Sequence, residues 1–328
     1  MNIQKNSISS AMVFASVLAC SAQAQPSYPN KPVTILVPLP AGGLPDIVSR
    51  TLAAGLQARL GQPVVIENKP GANTRIAAQA CADARPDGHT LCVLSASTLS
   101  INPWLYDNLR YDPEKSFAPI SNLVAADVLL AVQADVPAKN WRDLVTLAKA
   151  QPGKYSYASF GVGSDVHLTM EWLKNQTNID LLHVPFLGFP QIVQGVGSGD
   201  IQVALVSLGN PGVVDYVKNG KFKPIALHAA QRSPLAPDVP TFAEAGLPKV
   251  DVFTWFGLFA PAGTPKAVLD TLNSEVNAVL SSKDFLDRTK PLAVTMTNGS
   301  ASDFASFLTK DRANWGRLVK VTGAKLTD

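Results

Sequence analysis

The chain has 328 residues, 46% of them apolar and only 16% charged, with a formal net charge of +3. That is a globular composition, too long for one ordinary core, and it excludes a disordered chain. Lys and Arg form no runs, so the chain lacks the electrostatic footprint of a nucleic-acid binder.

The first residues read as an export leader. Lys5 gives a short positive region, 8–19 is apolar or small, and Ala22-Gln23-Ala24 is an A-x-A cleavage signal. The leader is expected to span 1–24, with the mature chain starting at Gln25. A rival reading makes Cys20 a lipoprotein cysteine, but Leu18 fits that pattern poorly and the A-x-A follows directly. No later stretch is long and apolar enough to span a bilayer. After cleavage Cys81 and Cys92 remain. An even pair in an oxidising compartment permits a disulfide, and two buried thiols are the alternative.

In chain order, 33–39 is a short β-rich apolar run, consistent with a buried strand. Leu39-Pro40-Ala41-Gly42-Gly43 leads into a helical stripe of Val48, Leu52, Leu56, ended by Gly61. A strand at 64–67, a helix at 71–84 and a strand at 90–95 follow, which predicts a mostly parallel sheet flanked by helices. The α/β rhythm restarts near Asp127. It gives helices at 141–150, 164–175, 189–195 and 211–218, and strands at 155–159, 181–184, 201–206 and 223–228. A long apolar run at 253–260 precedes amphipathic helices at 265–280 and 303–319. These last elements need a core, and the simplest arrangement returns them to the first lobe. The chain then crosses between lobes near 122–127 and 250–255, making a hinge. The expected division is 25–124 plus 253–328 for lobe 1 and 125–252 for lobe 2.

Two segments share one design: strand, glycine-rich turn, helix start. They are Leu39-Pro40-Ala41-Gly42-Gly43-Leu44-Pro45-Asp46 and Ser159-Phe160-Gly161-Val162-Gly163-Ser164-Asp165. Free backbone N–H groups, the helix dipole and glycines that let a ligand approach make an anion site without a cation. One such turn more often just caps a helix; one in each lobe points to a cleft gripping an anion from both sides. His167 is placed either to donate to a carboxylate or to stabilise its own loop. Asp46, near a helix N-terminus, suits fastening the loop better than touching a ligand. His89, His183 and His228 read as structural.

Enzyme signatures fail. Val166 stands where a dinucleotide fingerprint needs its third small residue, and there is no G-x-S-x-G elbow, H-E-x-x-H or Walker A sequence. No metal site and no cofactor are expected.

The chain resembles the Bug family of periplasmic receptors serving tripartite tricarboxylate transporters. The likeness runs over nearly the whole mature chain. It is carried by Tyr28-Pro29-Asn30-Lys31-Pro32-Val33, Pro40-Ala41-Gly42-Gly43 with Asp46, Gly61-Gln62-Pro63-Val64-Val65-Ile66-Glu67-Asn68-Lys69-Pro70-Gly71 and Pro86-Asp87-Gly88-His89-Thr90-Leu91. Further on come Asn102-Pro103-Trp104-Leu105-Tyr106, His183-Val184-Pro185-Phe186, Pro237-Asp238-Val239-Pro240-Thr241 and Phe259-Ala260-Pro261-Ala262-Gly263-Thr264-Pro265. The resemblance implies an α/β, two-lobed periplasmic-binding-protein fold (Venus-flytrap, type II) with the ligand cleft between lobes. It implies a non-enzymatic, monomeric receptor that hands a small carboxylate to membrane permease subunits. The same fold as the input of a sensor kinase, or as a periplasmic enzyme using His167 and Asp46, is the alternative. The expected ligand residues are Leu39, Ala41, Gly42, Gly43, Leu44, Asp46, Ser95, Phe160, Gly163, Ser164, His167, Phe186, Phe189 and Ser207.

Departures from the family pattern bear on the ligand. After His183-Val184-Pro185 the family usually has Tyr, then Lys or Arg, Gly and a small residue; here stand Phe186, Leu187, Gly188 and Phe189. Ser207-Leu208-Gly209-Asn210 lacks the Asp that often pairs a ligand amine. With Leu44 beside the first turn, a flatter, more apolar pocket is expected, suited to an aromatic mono- or dicarboxylate such as terephthalate. Phe186 or Phe189 would stack on its ring, or else fill the lobe core.

Overall fold

The structure, a computed structural model, describes residues 28–324 and Leu326. The expected leader, its cleavage site and Cys20 lie outside the described residues. Lobe 1 begins with β1 (Val33–Val37), α1 (Leu44–Leu60), β2 (Val64–Asn68), α2 (Arg75–Ala82), β3 (Thr90–Ser95), α3 (Asn102–Leu105) and β4 (Phe117–Ala126). Lobe 2 follows with β5 (Val128–Gln133), α4 (Trp141–Ala150), β6 (Ser156–Ser159), α5 (Asp165–Thr177), β7 (Leu182–Pro185), α6 (Phe189–Ser198), β8 (Val203–Ser207), α7 (Val213–Lys218) and β9 (Phe222–His228). The chain then returns to lobe 1 with β10 (Trp255–Pro261), α8 (Lys266–Leu280), α9 (Lys283–Thr289), β11 (Val294–Met296) and α10 (Ala301–Thr322).

The sheets run β11-β4-β10-β3-β1-β2 and β7-β6-β8-β5-β9. They are less parallel than expected. β1 pairs parallel with β2 and β3, but β10 enters antiparallel between β3 and β4, and β11 antiparallel on β4. β6 is parallel to β7 and β8, while β5 is antiparallel to β8 and β9. The hinge explains this: β5, the first strand after the chain leaves lobe 1, and β10, the first after it returns, each run against the βαβ strands of their own lobe, whereas β4 keeps the direction of β1 and β3.

Local chemistry sets the element ends. α1 starts after Gly43, with Pro45 in its first turn, and stops at left-handed Gly61, whose N–H bonds Gln57 O. Its stripe Leu44, Val48, Leu52 and Leu56 is buried in the core under β1, β3 and β10. The helix expected over 71–84 starts only at Arg75, because Gly71, Ala72, Asn73 and Thr74 all take positive φ, 122°, 48°, 49° and 69°. A left-handed run cannot join a right-handed helix. After β3 the chain makes a buried π-type turn, Ser97–Ile101, which runs into α3. Cys81 and Cys92 form the disulfide, with Cα atoms 6.1 Å apart, tying α2 to β3.

The crossing segments hold each other: Ala126 N–H donates to Thr254 O at 2.9 Å. A third segment joins them. Asp127 N–H donates to Ala293 O at 3.1 Å, and Ala293 lies in a hydrophobic cluster of lobe 2. On the far side Leu168 and Trp172 of α5 pack with Trp315 and Leu318 of α10.

Candidate functional site

The glycine-rich turns lie at the carboxyl ends of parallel strands β1 and β6, where open α/β sheets bind ligands. Asn68, at the same end of β2, ties the first turn down by donating to Leu39 O and to Asp46 Oδ1, both at 3.0 Å. The lobes touch at this edge, where Asn73 Nδ2 donates to Gly163 O at 3.3 Å.

In the first turn Asp46 is a fastener. It is buried, accepts the Gly42 N–H at 2.9 Å and ion-pairs with Arg50. Burial pushes its carboxyl up, but hydrogen bonds from Arg50, Gly42 and Asn68 outweigh this and hold it below the usual carboxylate range. Gly43 has no side chain to cap α1. Among the described residues the N–H groups of Ala41, Gly43 and Leu44 meet no protein acceptor. Ala41 and Gly42 are exposed, and Leu39 is half-buried. The Leu44 side chain is in the lobe core, 3% exposed, so it does not line the turn as expected. Its place at the head of the α1 stripe decides this; only its N–H serves the turn.

The second turn is closed on itself. Gly161 N–H donates to Ser159 Oγ at 3.0 Å, Gly163 N–H to His167 Nδ1 at 3.3 Å, Ser164 N–H to Gly161 O at 3.2 Å, Val166 N–H to Asp165 Oδ1 at 2.9 Å, and His167 N–H to Ser164 Oγ at 3.2 Å. Asp165 sits at the N-terminus of α5 and accepts from Thr254 of the hinge. Among the described residues Val162 N–H meets no protein acceptor, and its side chain is exposed. The two turns are therefore unequal: the uncapped start of α1 offers a row of donors, whereas Ser164 and Asp165 already satisfy the start of α5.

His167 accepts from Gly163, so its Nδ1 is unprotonated, and burial followed by the nearby His183 pushes its pKa down to about 4. His183, which sequence reasoning read as structural, lies 4.4 Å from the His167 ring and contacts Ser159 Oγ through Nε2 at 2.6 Å. The pair braces both ends of the turn, His167 at Gly163 and His183 through Ser159 at Gly161. Tyr157 stacks on His183 and donates to Glu171, which pairs with Lys174.

Ser95 is buried at the end of β3, with Oγ 3.5 Å from Thr98 Oγ1. Phe160 is half-buried against the clusters on both faces of the lobe 2 sheet. Phe186 and Phe189 are half-buried against the α6 cluster, and Phe186 packs on Gly195. Between them Leu187 is 88% exposed. Ser207, at the end of β8, has a buried Oγ that meets no partner among the described residues. Among the described residues no group of His, Cys, Asp and Glu has the grouping of a metal site. An open groove of about 800 Å³ runs along the outside of lobe 1 between α2 and residues 107–111, and holds none of the expected ligand residues.

Residues 48–324 match the family described as the tripartite tricarboxylate transporter family receptor. A Bordetella pertussis protein of the UPF0065 group is 32% identical over 94% of this chain and 95% of its own length. BugT of the same organism is 30% identical over 92% of each. Among solved structures, a Rhodopseudomonas palustris protein with adipate superposes with a TM-score of 0.85 at 29% identity, covering 91% of this chain and all of that one. The periplasmic binding protein BugD gives 0.82 at 31%, covering 92% and 100%. MatC of R. palustris with malate gives 0.81 at 32%, covering 89% and 100%. The matching family is one of transporter receptors and BugD is a periplasmic binding protein, so the chain is a solute-binding protein and not an enzyme. The chain belongs to the periplasmic receptor family of the tripartite tricarboxylate transporters.

Proposed function

We propose that this receptor captures a small carboxylate with an aromatic body, of which terephthalate is the type, and delivers it to membrane permease subunits. In this reading the lobes are 25–124 plus 253–328 and 125–252, following a leader over 1–24. The Ala41, Gly43 and Leu44 N–H groups, at the positive end of α1, take the carboxylate. Gly42, Asp46 and Asn68 hold that turn, while Gly163, Ser164 and His167 shape the opposing one. Ser95 and Ser207 border the cleft.

The observation that carries the aromatic reading is the loop between β7 and α6. It offers Phe186, an almost fully exposed Leu187 and Phe189, with neither cation nor hydroxyl. Leu187, together with exposed Val162, gives an apolar wall for a flat ligand body. Relatives with adipate and malate share the architecture.

A thermal-shift panel of benzoate, phthalate and terephthalate against malate, adipate and citrate tests it, since a ligand that binds only the folded state raises Tm. Stabilisation by the aromatic acids, lost in Leu187→Ser, supports the reading. Stabilisation by aliphatic acids alone removes the aromatic part and keeps the receptor.

A further inference from the structure

We infer that Asn73 is a positioning residue: its carboxamide latches lobe 1 onto the ligand turn of lobe 2 and slows the cleft from opening. Three successive residues with side chains, Ala72, Asn73 and Thr74, hold positive φ. This conformation is costly for any residue but glycine, and least so for Asn. Glycine at 73 would make the same turn at no such cost, so the side chain needs a separate reason. Its Nδ2 supplies one, donating both to Asn102 Oδ1 at 2.8 Å and, across the lobes, to Gly163 O at 3.3 Å.

The lobe 1 end of this contact is rigid. Asn102 Nδ2 donates back to Asn73 O at 2.9 Å and to the buried Tyr111 hydroxyl at 3.2 Å, which in turn donates to Thr98 O at 2.8 Å. Thr74 Oγ1 and Thr98 Oγ1 are 2.8 Å apart, and Thr98 leads to Ser95. The lobe 2 end is the peptide of Gly163, whose N–H is already fixed by His167. Gly163 holds a φ of 81°, and a β-carbon there would stand 2.5 Å from the Leu105 Cδ1 methyl of lobe 1, so a side chain at this position would both strain the turn and push on the opposite lobe. One residue of the ligand turn is thus held by its own lobe through N–H and by the opposite lobe through C=O.

This gains its biological meaning from the receptor reading, but its test does not depend on it. Spin labels at exposed positions, introduced by Ala58→Cys on α1 and Lys218→Cys on α7, report the interlobe distance in the mature protein. Asn73→Gly and Asn73→Asp keep a residue that tolerates the left-handed backbone and remove the donor. Both are expected to lengthen the interlobe distance, with the Tm of Asn73→Gly unchanged or raised. With terephthalate and adipate as probes, dissociation is expected to quicken roughly two- to tenfold, the worth of one hydrogen bond, at unchanged association. Distances identical to the unsubstituted protein in both variants overturn the latch, as does a fall in Tm with distances unchanged, which marks a residue that fastens only its own turn. If neither probe binds the unsubstituted protein, the carboxylate reading fails and the distances still decide the role of Asn73.

Discussion

Gly209 and Leu292 meet backbone to backbone: a β-carbon on Gly209 would stand 1.5 Å from the Leu292 carbonyl oxygen. Gly209 follows β8 in lobe 2, and Leu292 precedes β11 in lobe 1, so this is a point where the lobes touch beside the hinge. The atom in the way is main chain, which has no rotamer to change. Gly209→Ala is therefore expected to push the 290–293 segment off lobe 2 and to destabilise the protein by about 3 kcal/mol. Urea denaturation measures the loss, and small-angle scattering measures the wider lobe separation.

His167 gives a pH dependence of defined sign. Its folded pKa of about 4 lies below its ordinary 6.5, so between these values the unfolded chain binds more protons. The stability contributed by the neutral ring is complete above pH 6.5 and is lost as pH falls toward 4, on the order of 3 kcal/mol. Glu171, Lys174 and His183 face the same ring cluster. His167→Gln, which retains an acceptor for Gly163, is expected to flatten the stability curve in that window.

Asp311 slopes the other way. Burial raises its carboxyl from 3.8 to about 6, although Trp255 Nε1 donates to it at 2.9 Å. Ionising it in the folded protein costs stability as pH rises from 3.8 through 6, again on the order of 3 kcal/mol. Asp311→Asn keeps an acceptor for Trp255 and is expected to raise Tm at pH 7 while leaving it little changed at pH 3.5.

The Cys81–Cys92 bridge closes a short loop, its ends 11 residues apart. Chain entropy alone gives about 3 kcal/mol for such a loop. Replacing both cysteines by alanine is expected to lower stability by that order and to loosen α2. A lower denaturant midpoint, with faster exchange of the α2 amides, checks it.

The regular elements were legible because their signals are local. The α1 stripe ends in Gly61, and the Ser164 cap, whose hydroxyl accepts from His167 N–H, opens α5. What stayed hidden depends on distant partners. Nothing local marks 71–74 as left-handed, since Ala72 and Thr74 ordinarily avoid that conformation; it is held by Thr98 and Asn102. Leu44 looked like a pocket residue because it adjoins the turn, but its place on the helical stripe governs it. His183 was read as structural, and its contact to Ser159 arises only when β6 and β7 pair. The two glycine turns look equivalent in sequence. Their difference lies in hydrogen bonds that close one and leave the other open.

The position of β10 has a consequence for how the chain is made. As the chain emerges N-terminus first, β5 to β9 can complete their sheet from contiguous residues. β3 and β4 instead await a partner that appears only with Trp255–Pro261. Over that interval both present open, apolar edges, the kind of surface on which growing chains aggregate. The inserted lobe can thus mature while the lobe that encloses it in sequence remains unfinished; β10 closes the gap between β3 and β4, and β11 then covers the outer edge of β4.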